Sequence, residues 1–420
     1  MSVVRPHCQP DNLAQPALAG ALDGRETPAP GATRRSRISR GTTLVHADLH
    51  NHSLLSDGDG SPEEAFVSMR AAGLDVAALT DHATLSDHLS GDLTTGSLPA
   101  GYSKAAGLTA EGWTRTGMLA DGADRPDAFT ALRGFEWTEP MLGHVNVWFT
   151  EEWTDVLDLG QMQPLYRWLS RPTGPLGLGD GSAEGIAGFN HPGREPGRFE
   201  EFTFDPRVRD QMVSIEMFNR RDDYLFEGYA DGKPSPLCSC LNAGWRTGIT
   251  GVTDEHGTDW GLPDGKGRTG LWVTEHSRKG VQEAMRARRF FATRTSGLRV
   301  DAEASYKPKG EVVRMGGVLP ISEGEVTFTL DLDRGTSWVD MPLNLQVLRP
   351  GTDAPTVATV VPFTAGELAT VTVPLDITDG DWVLLRVSDP SQPNATLGPA
   401  GHPCNELGVA YTSPWWFQPS

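Results

Sequence analysis

The chain has 420 residues, 38% of them hydrophobic and 8% aromatic, enough for two or three folding units with a sizeable core. Its 36 lysines and arginines against 55 aspartates and glutamates leave a net charge of −19, which repels nucleic acid and anionic membrane alike. No run reaches the roughly 18 to 20 apolar residues of a membrane span, and the first 40 residues lack the apolar stretch of a signal peptide. A soluble, cytoplasmic protein with a small-molecule substrate is expected. Cys8, Cys238, Cys240 and Cys404 are too few and too scattered for a disulfide scaffold, and Cys238 and Cys240 have no second pair to complete a zinc knuckle.

Residues 1–40 carry Pro6, Pro10, Pro16, Pro28, Pro30 and a basic cluster of Arg34, Arg35, Arg37 and Arg40, and read as a mobile or surface-draped tail. From 41 to 296 short apolar runs alternate with amphipathic helices, the pattern of βαβ units. Leu44 to Leu49 reads as a strand. Ser61 is then a helix N-cap, Pro62 the first helical residue, Glu63 and Glu64 suit the helix dipole, and Gly73 ends the helix. Further strands are predicted at Val76 to Leu79, Phe129 to Leu132, His144 to Phe149, Gly185 to Phe189, Met212 to Ile215 and Thr247 to Val252, with a last helix from Lys279 to Arg289. After Gly297 the helical period stops. Period-two runs at Val326 to Leu332, Leu343 to Leu348, Leu368 to Val373 and Trp382 to Val387 predict a small β-sandwich over 297–420.

The residues at the ends of the strands in the first region carry the chemistry. The strand at 44–49 runs into Asp48, His50, His52 and Asp57, and the one at 76–79 into Asp81 and His82. Glu136 comes after 129–132, His144 opens the next run, and His191, Glu216, Asp254 and His256 come after later strands. In a (β/α) barrel the strand ends converge on one mouth. His50 and His52, two apart on a strand, point to one face and can hold one ion together; Asp254 and His256 repeat the spacing. Of the eleven histidines, His50, His52, His82, His144, His191 and His256 fall in this set, with Asp57, Glu136 and Asp254 as carboxylates. Such a donor set suffices for two or three divalent ions, and a His-rich set without thiolate suits Zn, Mn or Fe. Asp48 and Asp81 are expected to orient neighbouring imidazoles or loops, or to cap strand ends, and Glu216 to orient a ligand or touch substrate. Arg194, Arg220 and Arg221 are candidates for phosphate oxygens, and Trp113, Trp137, Trp148, Trp245 and Trp260 for lining an apolar pocket.

In order, identity and strand context these motifs resemble those of the PHP (polymerase and histidinol phosphatase) superfamily over residues 42 to 296. They are Asp48-Leu49-His50-x-His52-Ser53 with Ser56-Asp57-Gly58, Thr80-Asp81-His82, Gly134-x-Glu136, Asn190-His191-Pro192 and Asp254-x-His256. Thr269 to Trp272, the helix ending in Arg288 to Thr293 and the appended β region are similar to the CehA/McbA-type metallohydrolase branch. The resemblance implies an α/β fold, a distorted TIM-like (β/α)7 barrel with a trinuclear site. His50, His52, Glu136 and Asp254 would hold the first ion, Glu136 would bridge to a second held by His144 and His191, and Asp57, His82 and His256 would hold the third. Glu136, Asp254 and His256 are accordingly the expected catalytic residues. A hydroxide between the first two ions would attack the substrate while the third polarises the leaving side.

The expected activity is metal-dependent hydrolysis of a small-molecule phosphomonoester or phosphodiester. A carboxylic ester, carbamate or amide is the alternative, and a non-catalytic binding barrel a third reading. The Gly-rich insert between His82 and Glu136 is expected to shape the pocket. The β region is left to pack beside the mouth, to make a homodimer or to stabilise the barrel, with Trp415 and Trp416 docking on something apolar, the barrel itself being expected.

Overall fold

A computed structural model describes residues 33–84, 107–156, 159–171, 182, 184–261, 265–306 and 310–419. Strand β1 (Thr43–Asp48), helix α1 (Pro62–Ala71) and strand β2 (Val76–Leu79) form the expected first unit, with β1 and β2 parallel. The Ser61 hydroxyl accepts from the Glu64 amide at 3.4 Å, Pro62 starts the helix, and Glu63 and Glu64 occupy its first turn. Gly73, just past the end, has φ +88°, a left-handed conformation without penalty for a residue lacking Cβ. Both strands are buried on both faces apart from Thr43, as parallel strands under helices must be.

Strands β3 (His82–Ala83), β4 (Thr130–Glu139), β5 (Gly143–Trp148), β6 (Ile186–Phe189), β7 (Met212–Asn219), β8 (Asp222–Asp223), β9 (Gly248–Val252), β10 (Arg268–Val273) and β11 (Phe290–Thr293) come next. Among them lie helices α2 (Ala110–Ala123), α3 (Gln163–Leu169), α4 (Pro236–Asn242) and α5 (Arg278–Arg286). Side by side the strands run β9-β7-β6-β5-β4-β2-β1-β10-β11. The regular βαβ alternation is broken at β4–β5, β5–β6, β1–β10 and β10–β11, which are antiparallel. Only residues 140–142 separate β4 from β5, a turn that permits a hairpin but not a crossover. β4 also runs to Glu139, well beyond the predicted Leu132, because its outer half pairs with β5.

Strand direction places the site. β1, β2, β4, β6, β7 and β9 all point the same way, so the segments leaving them gather at one edge. β5 runs the opposite way and delivers its beginning, His144, to that same edge. An isolated parallel bridge from Asn51 to Glu255 joins the exits of β1 and β9. Part of the insert, 85–106, lies outside the described residues, as do Cys8 and residues 1–32; α2 lies in the rest of the insert.

After residue 297 the described chain has no α-helix, only strands, loops and three short 3-10 helices; the strands are β12 (Arg299–Tyr306), β13 (Glu311–Arg314), β14 (Val318–Leu319), β15 (Glu323–Asp333), β16 (Pro342–Arg349), β17 (Thr356–Thr364), β18 (Leu368–Asp376), β19 (Trp382–Pro393), β20 (Glu406–Thr412) and β21 (Trp415–Phe417). β13-β12-β15-β18 form a separate four-stranded sheet. The others join the large sheet through β20, which pairs with β11 at Phe291↔Thr412 and Thr293↔Ala410. The whole is therefore a mixed α/β fold with a 17-stranded sheet that continues across the expected boundary at 296–297. One apolar cluster draws Val300, Phe328 and Leu330 from the small sheet and Leu345, Leu385 and Val409 from the large one. Trp415 joins that cluster and Trp416 the one under the first region. The described end of the tail, 33–40, is draped on this frame: Arg34 pairs with Asp75 and Arg37 Nε donates to Asp331 at 2.8 Å. Cys238, Cys240 and Cys404 are buried free thiols.

Candidate metal centre

Every one of the nine expected ligands reaches the edge where the strand exits gather. His50 and His52 lie just past β1, held extended by the Asn51 bridge, and their Nε2 atoms are 3.1 Å apart. Both face the same carboxylates: His50 Nε2 is 3.2 Å from Glu136 Oε1 and 3.4 Å from Asp254 Oδ1, and His52 Nε2 is 3.5 Å from Glu136 Oε2 and 3.2 Å from Asp254 Oδ1. On one flank, Asp57 Oδ1 lies 3.4 Å from both His82 Nε2 and His256 Nε2. On the other, Glu136 Oε1 lies 3.2 Å from His144 Nδ1 and 3.3 Å from His191 Nε2. Glu136 thus stands at the centre, mid-strand in β4 rather than at a strand end. Four overlapping groups have donor atoms all within 4.8 Å of one another: His52/Asp57/His82/His256, His50/His52/Glu136, His82/Glu136/His144 and His144/His191/Glu195.

Glu195 is the residue that strand-end reasoning passes over. It is buried, four residues beyond His191, with Oε2 3.5 Å from His191 Nδ1. Its sequence signal is the i,i+4 spacing inside the loop 190–197. The strained residues of the site are also in its loops: His191, Arg220 and Asp254 have φ of +25°, +51° and +49°, uncommon for residues with a Cβ and characteristic of functional sites.

The flanking acids hold ligands and loops in place. Glu216 does not face the centre of the donor cluster: its Oε1 is 2.9 Å from His50 Nδ1, the ring nitrogen away from the cluster, and its Oε2 accepts from the His191 amide at 2.7 Å. Asn190 Nδ2 donates to Glu136 Oε1 at 2.7 Å. Asp48 accepts from the Thr253 amide and hydroxyl, and Asp81 from the Ser53 amide and hydroxyl and from Ser56. Both acids therefore fix loops rather than imidazole rings.

Charge in the cluster is finely divided. Burial opposes ionisation of Glu136, but His50, His82 and His144 outweigh it and hold the carboxyl well below its usual range. Burial, reinforced by His256 and His82, pushes the His52 imidazole down to about 3. His50 goes the other way: burial is overcome by Glu136, Asp254 and Glu216, and its imidazole is raised well above the ordinary value. Burial likewise opposes Glu195, yet His191 and His144 lower it to about 2.

The donors fit divalent cations. Two imidazole nitrogens at 3.1 Å can share at most one proton between them. His52 Nδ1 and both Asp57 oxygens are buried without a hydrogen-bond partner among the described residues, a costly arrangement for polar atoms with nothing to bind. Imidazole with carboxylate and no thiolate is the donor chemistry of Zn, Mn or Fe.

Two of the three predicted arginines reach the site. Arg194 places NH1 3.5 Å from Asp254 Oδ2 and donates through NH2 to the Tyr224 hydroxyl at 2.8 Å. Arg220 donates to the Asp254 carbonyl at 3.3 Å, with NH2 3.1 Å from His256 Nδ1. Arg221 is exposed and does not join them, because the turn between β7 and β8 sends consecutive side chains apart. The tryptophans are packed rather than lining a pocket: Trp113, Trp137, Trp148, Trp245 and Trp260 are all buried. Each indole N–H donates to a main-chain carbonyl, those of Trp148 and Trp260 to Leu49 and His52. These last two brace the segment carrying His50 and His52.

No family model matches the chain, and no curated protein matches it. Among solved structures, it is similar to a two-domain protein from Bacteroides vulgatus described as containing a candidate PHP-like metal-dependent phosphoesterase (TM-score 0.44, 17% identity, 91% of this chain and 100% of that one). It is also similar to a candidate metal-dependent phosphoesterase from Bifidobacterium adolescentis (TM-score 0.29, 14% identity, 57% and 95%). A third is an amidohydrolase from Chromobacterium violaceum with bound sulfate and no metal (TM-score 0.25, 14% identity, 51% and 90%). At these scores the likeness decides neither fold nor activity. No described helix is long and apolar enough to cross a membrane.

Proposed function

We propose that the chain is a metal-dependent hydrolase of the PHP type, a phosphoesterase acting on a small-molecule monoester or diester. The carrying observation is the pair His50 and His52, whose Nε2 atoms stand 3.1 Å apart before the shared carboxylates Glu136 and Asp254. His50, His52, Glu136 and Asp254 would hold one ion, Glu136, His144 and His191 a second, and Asp57, His82 and His256 a third; Zn, Mn or Fe suits the donors. Bound divalent ions supply an acidified water and neutralise charge developing on the ester. The chain's own part is to fix the donors: Glu216 and Asn190 orient His50 and Glu136, and buried tryptophans brace the loop beneath. Arg194 and Arg220, both on Asp254, favour an anionic substrate over a neutral ester or amide, and the packed indoles give no support to an apolar pocket for the latter. The framework we propose is a distorted seven-stranded barrel at 41–296 with a β-sandwich at 297–420, in a cytoplasmic protein.

Elemental analysis of the purified chain is expected to find two to three equivalents of transition metal, with the His50→Ala variant losing metal and on the order of 100-fold in hydrolysis of an aryl phosphate. Arg194→Ala should raise KM and Arg221→Ala leave it unchanged. Metal-free protein, or turnover of aryl esters and carbamates without any phosphate release, overturns the phosphoesterase reading.

A further inference from the structure

Arg194 is steadied by Tyr224, and Tyr224 belongs to a segment that the C-terminal strands hold from behind. β8 folds back on β7 with Asp223 opposite Phe218, and the Asp223 carboxylate caps the turn at 224–226 by accepting from the Leu225 amide at 3.1 Å. The same carboxylate is gripped from β19 and β20. The Tyr411 hydroxyl lies 3.0 Å from each of its oxygens, Asn394 Nδ2 donates to it at 3.2 Å, and Arg386 NH2 is 3.6 Å away. Arg386 in turn donates to the Tyr411 oxygen at 2.8 Å, to Gln346 at 2.8 Å and to the Glu406 carbonyl at 2.7 Å. Because Arg386 supplies a donor to that oxygen, the single hydroxyl proton of Tyr411 is directed at Asp223. Asp223, Arg386 and Tyr411 are fully buried, where hydrogen bonds polarise one another and are not diluted by water. Gly408 leaves the space this needs: a Cβ there would lie 2.6 Å from Asp223 Oδ2.

We propose that the C-terminal β region completes the anion-binding side of the site, with Arg386, Tyr411 and Asp223 acting as positioning residues that set Tyr224 and, through its hydroxyl, the guanidinium of Arg194. The proposal rests on the phosphoesterase reading and extends it: the appended strands serve substrate affinity, not only stability. Loss of one link frees the Arg194 side chain to sample other rotamers and weakens anion capture, while the imidazole and carboxylate cluster is left as it is.

The test is a double-mutant cycle on the metal-loaded full chain, read by calorimetric binding of inorganic phosphate together with aryl phosphate kinetics. Tyr224→Phe and Tyr411→Phe are each expected to weaken phosphate binding about threefold to tenfold, as loss of one hydrogen bond does. KM should rise in step, with kcat within about twofold and metal content unchanged. The double variant should lose no more than the worse single one, since both break the same chain of contacts. Gly408→Ala, which crowds Asp223 without removing a hydrogen-bonding group, should reproduce the loss and stands in if Tyr411→Phe fails to fold. Wild-type phosphate affinity in Tyr411→Phe or in Gly408→Ala, or losses that multiply in the double variant, overturn the proposal. If Arg194→Ala weakens phosphate binding while Tyr411→Phe does not, the phosphoesterase reading stands and this extension falls; a wild-type chain that binds no phosphate overturns both.

Discussion

In the small sheet, the buried carboxylate of Asp331 accepts from Arg299 Nε and NH2 at 3.1 and 2.9 Å and from Arg37 Nε and amide at 2.8 and 2.9 Å. At the edge of the large sheet, the carboxylate oxygens of Asp57 accept no hydrogen bond from any described donor and stand instead before two imidazoles. Both regions bury charge, and they stabilise it differently. Asp331 is surrounded by fixed donors, Arg299 from β12 and Arg37 from the amino-terminal tail, so its charge is matched within the chain. The site region assembles carboxylates and ring nitrogens facing one another, an arrangement that divalent cations would complete. At Asp331 the charge is matched by the chain's own guanidinium groups; at Asp57 it is left facing imidazoles.

Three substitutions sharpen that contrast. Asp331→Ala leaves two guanidinium groups without their acid, and should cost about 3 to 5 kcal/mol in urea unfolding while metal content stays that of the wild type. A parallel loss of metal would show the two regions to be one unit energetically. The next effect is pH-dependent and comes from His46, buried on β1. Burial lowers its imidazole from 6.5 to about 4, with Asp75 opposing and Arg34 and Arg268 adding to the fall. The unfolded chain therefore binds this proton below about 6.5 and the folded chain only near 4. Stability from this group is intact above pH 6.5 and is lost as pH falls toward 4, by about 3 kcal/mol. Urea midpoints measured across that window should fall on acidification, and His46→Gln should flatten the slope. Smallest is Glu216→Gln, which keeps the shape at His50 Nδ1 but removes the charge. Metal affinity should fall about tenfold, measured by competition with a chelating dye, with the urea midpoint barely moved.

Much of the site is legible in the residues alone because its donors sit where strands end, and strand ends are readable from apolar runs followed by polar residues. His50, His52, His82, His191, Asp254 and His256 obey this rule. Glu136 does so only in appearance: the run at Phe129 to Leu132 is the first half of a longer strand, and the pairing that extends it comes from β5. Glu195 and Tyr224 are invisible to the rule, since they act from loops whose path is set by long-range contacts. The tryptophans mislead for a related reason: an indole near a ligand in sequence is equally able to pack beneath it, and burial, which decides between the two, depends on the other side of the fold. The register of β11 with β20, where Phe291 meets Thr412, joins segments far apart in the chain and has no local signal at all.

That register has a practical meaning for anyone wishing to separate the two halves. A chain cut after residue 296 would present β11 as a bare strand edge, with the ring of Phe291 and the indole of Trp272, both now in a shared apolar cluster, turned to solvent. Such edges recruit other strands, so the amino-terminal half made alone is expected to aggregate.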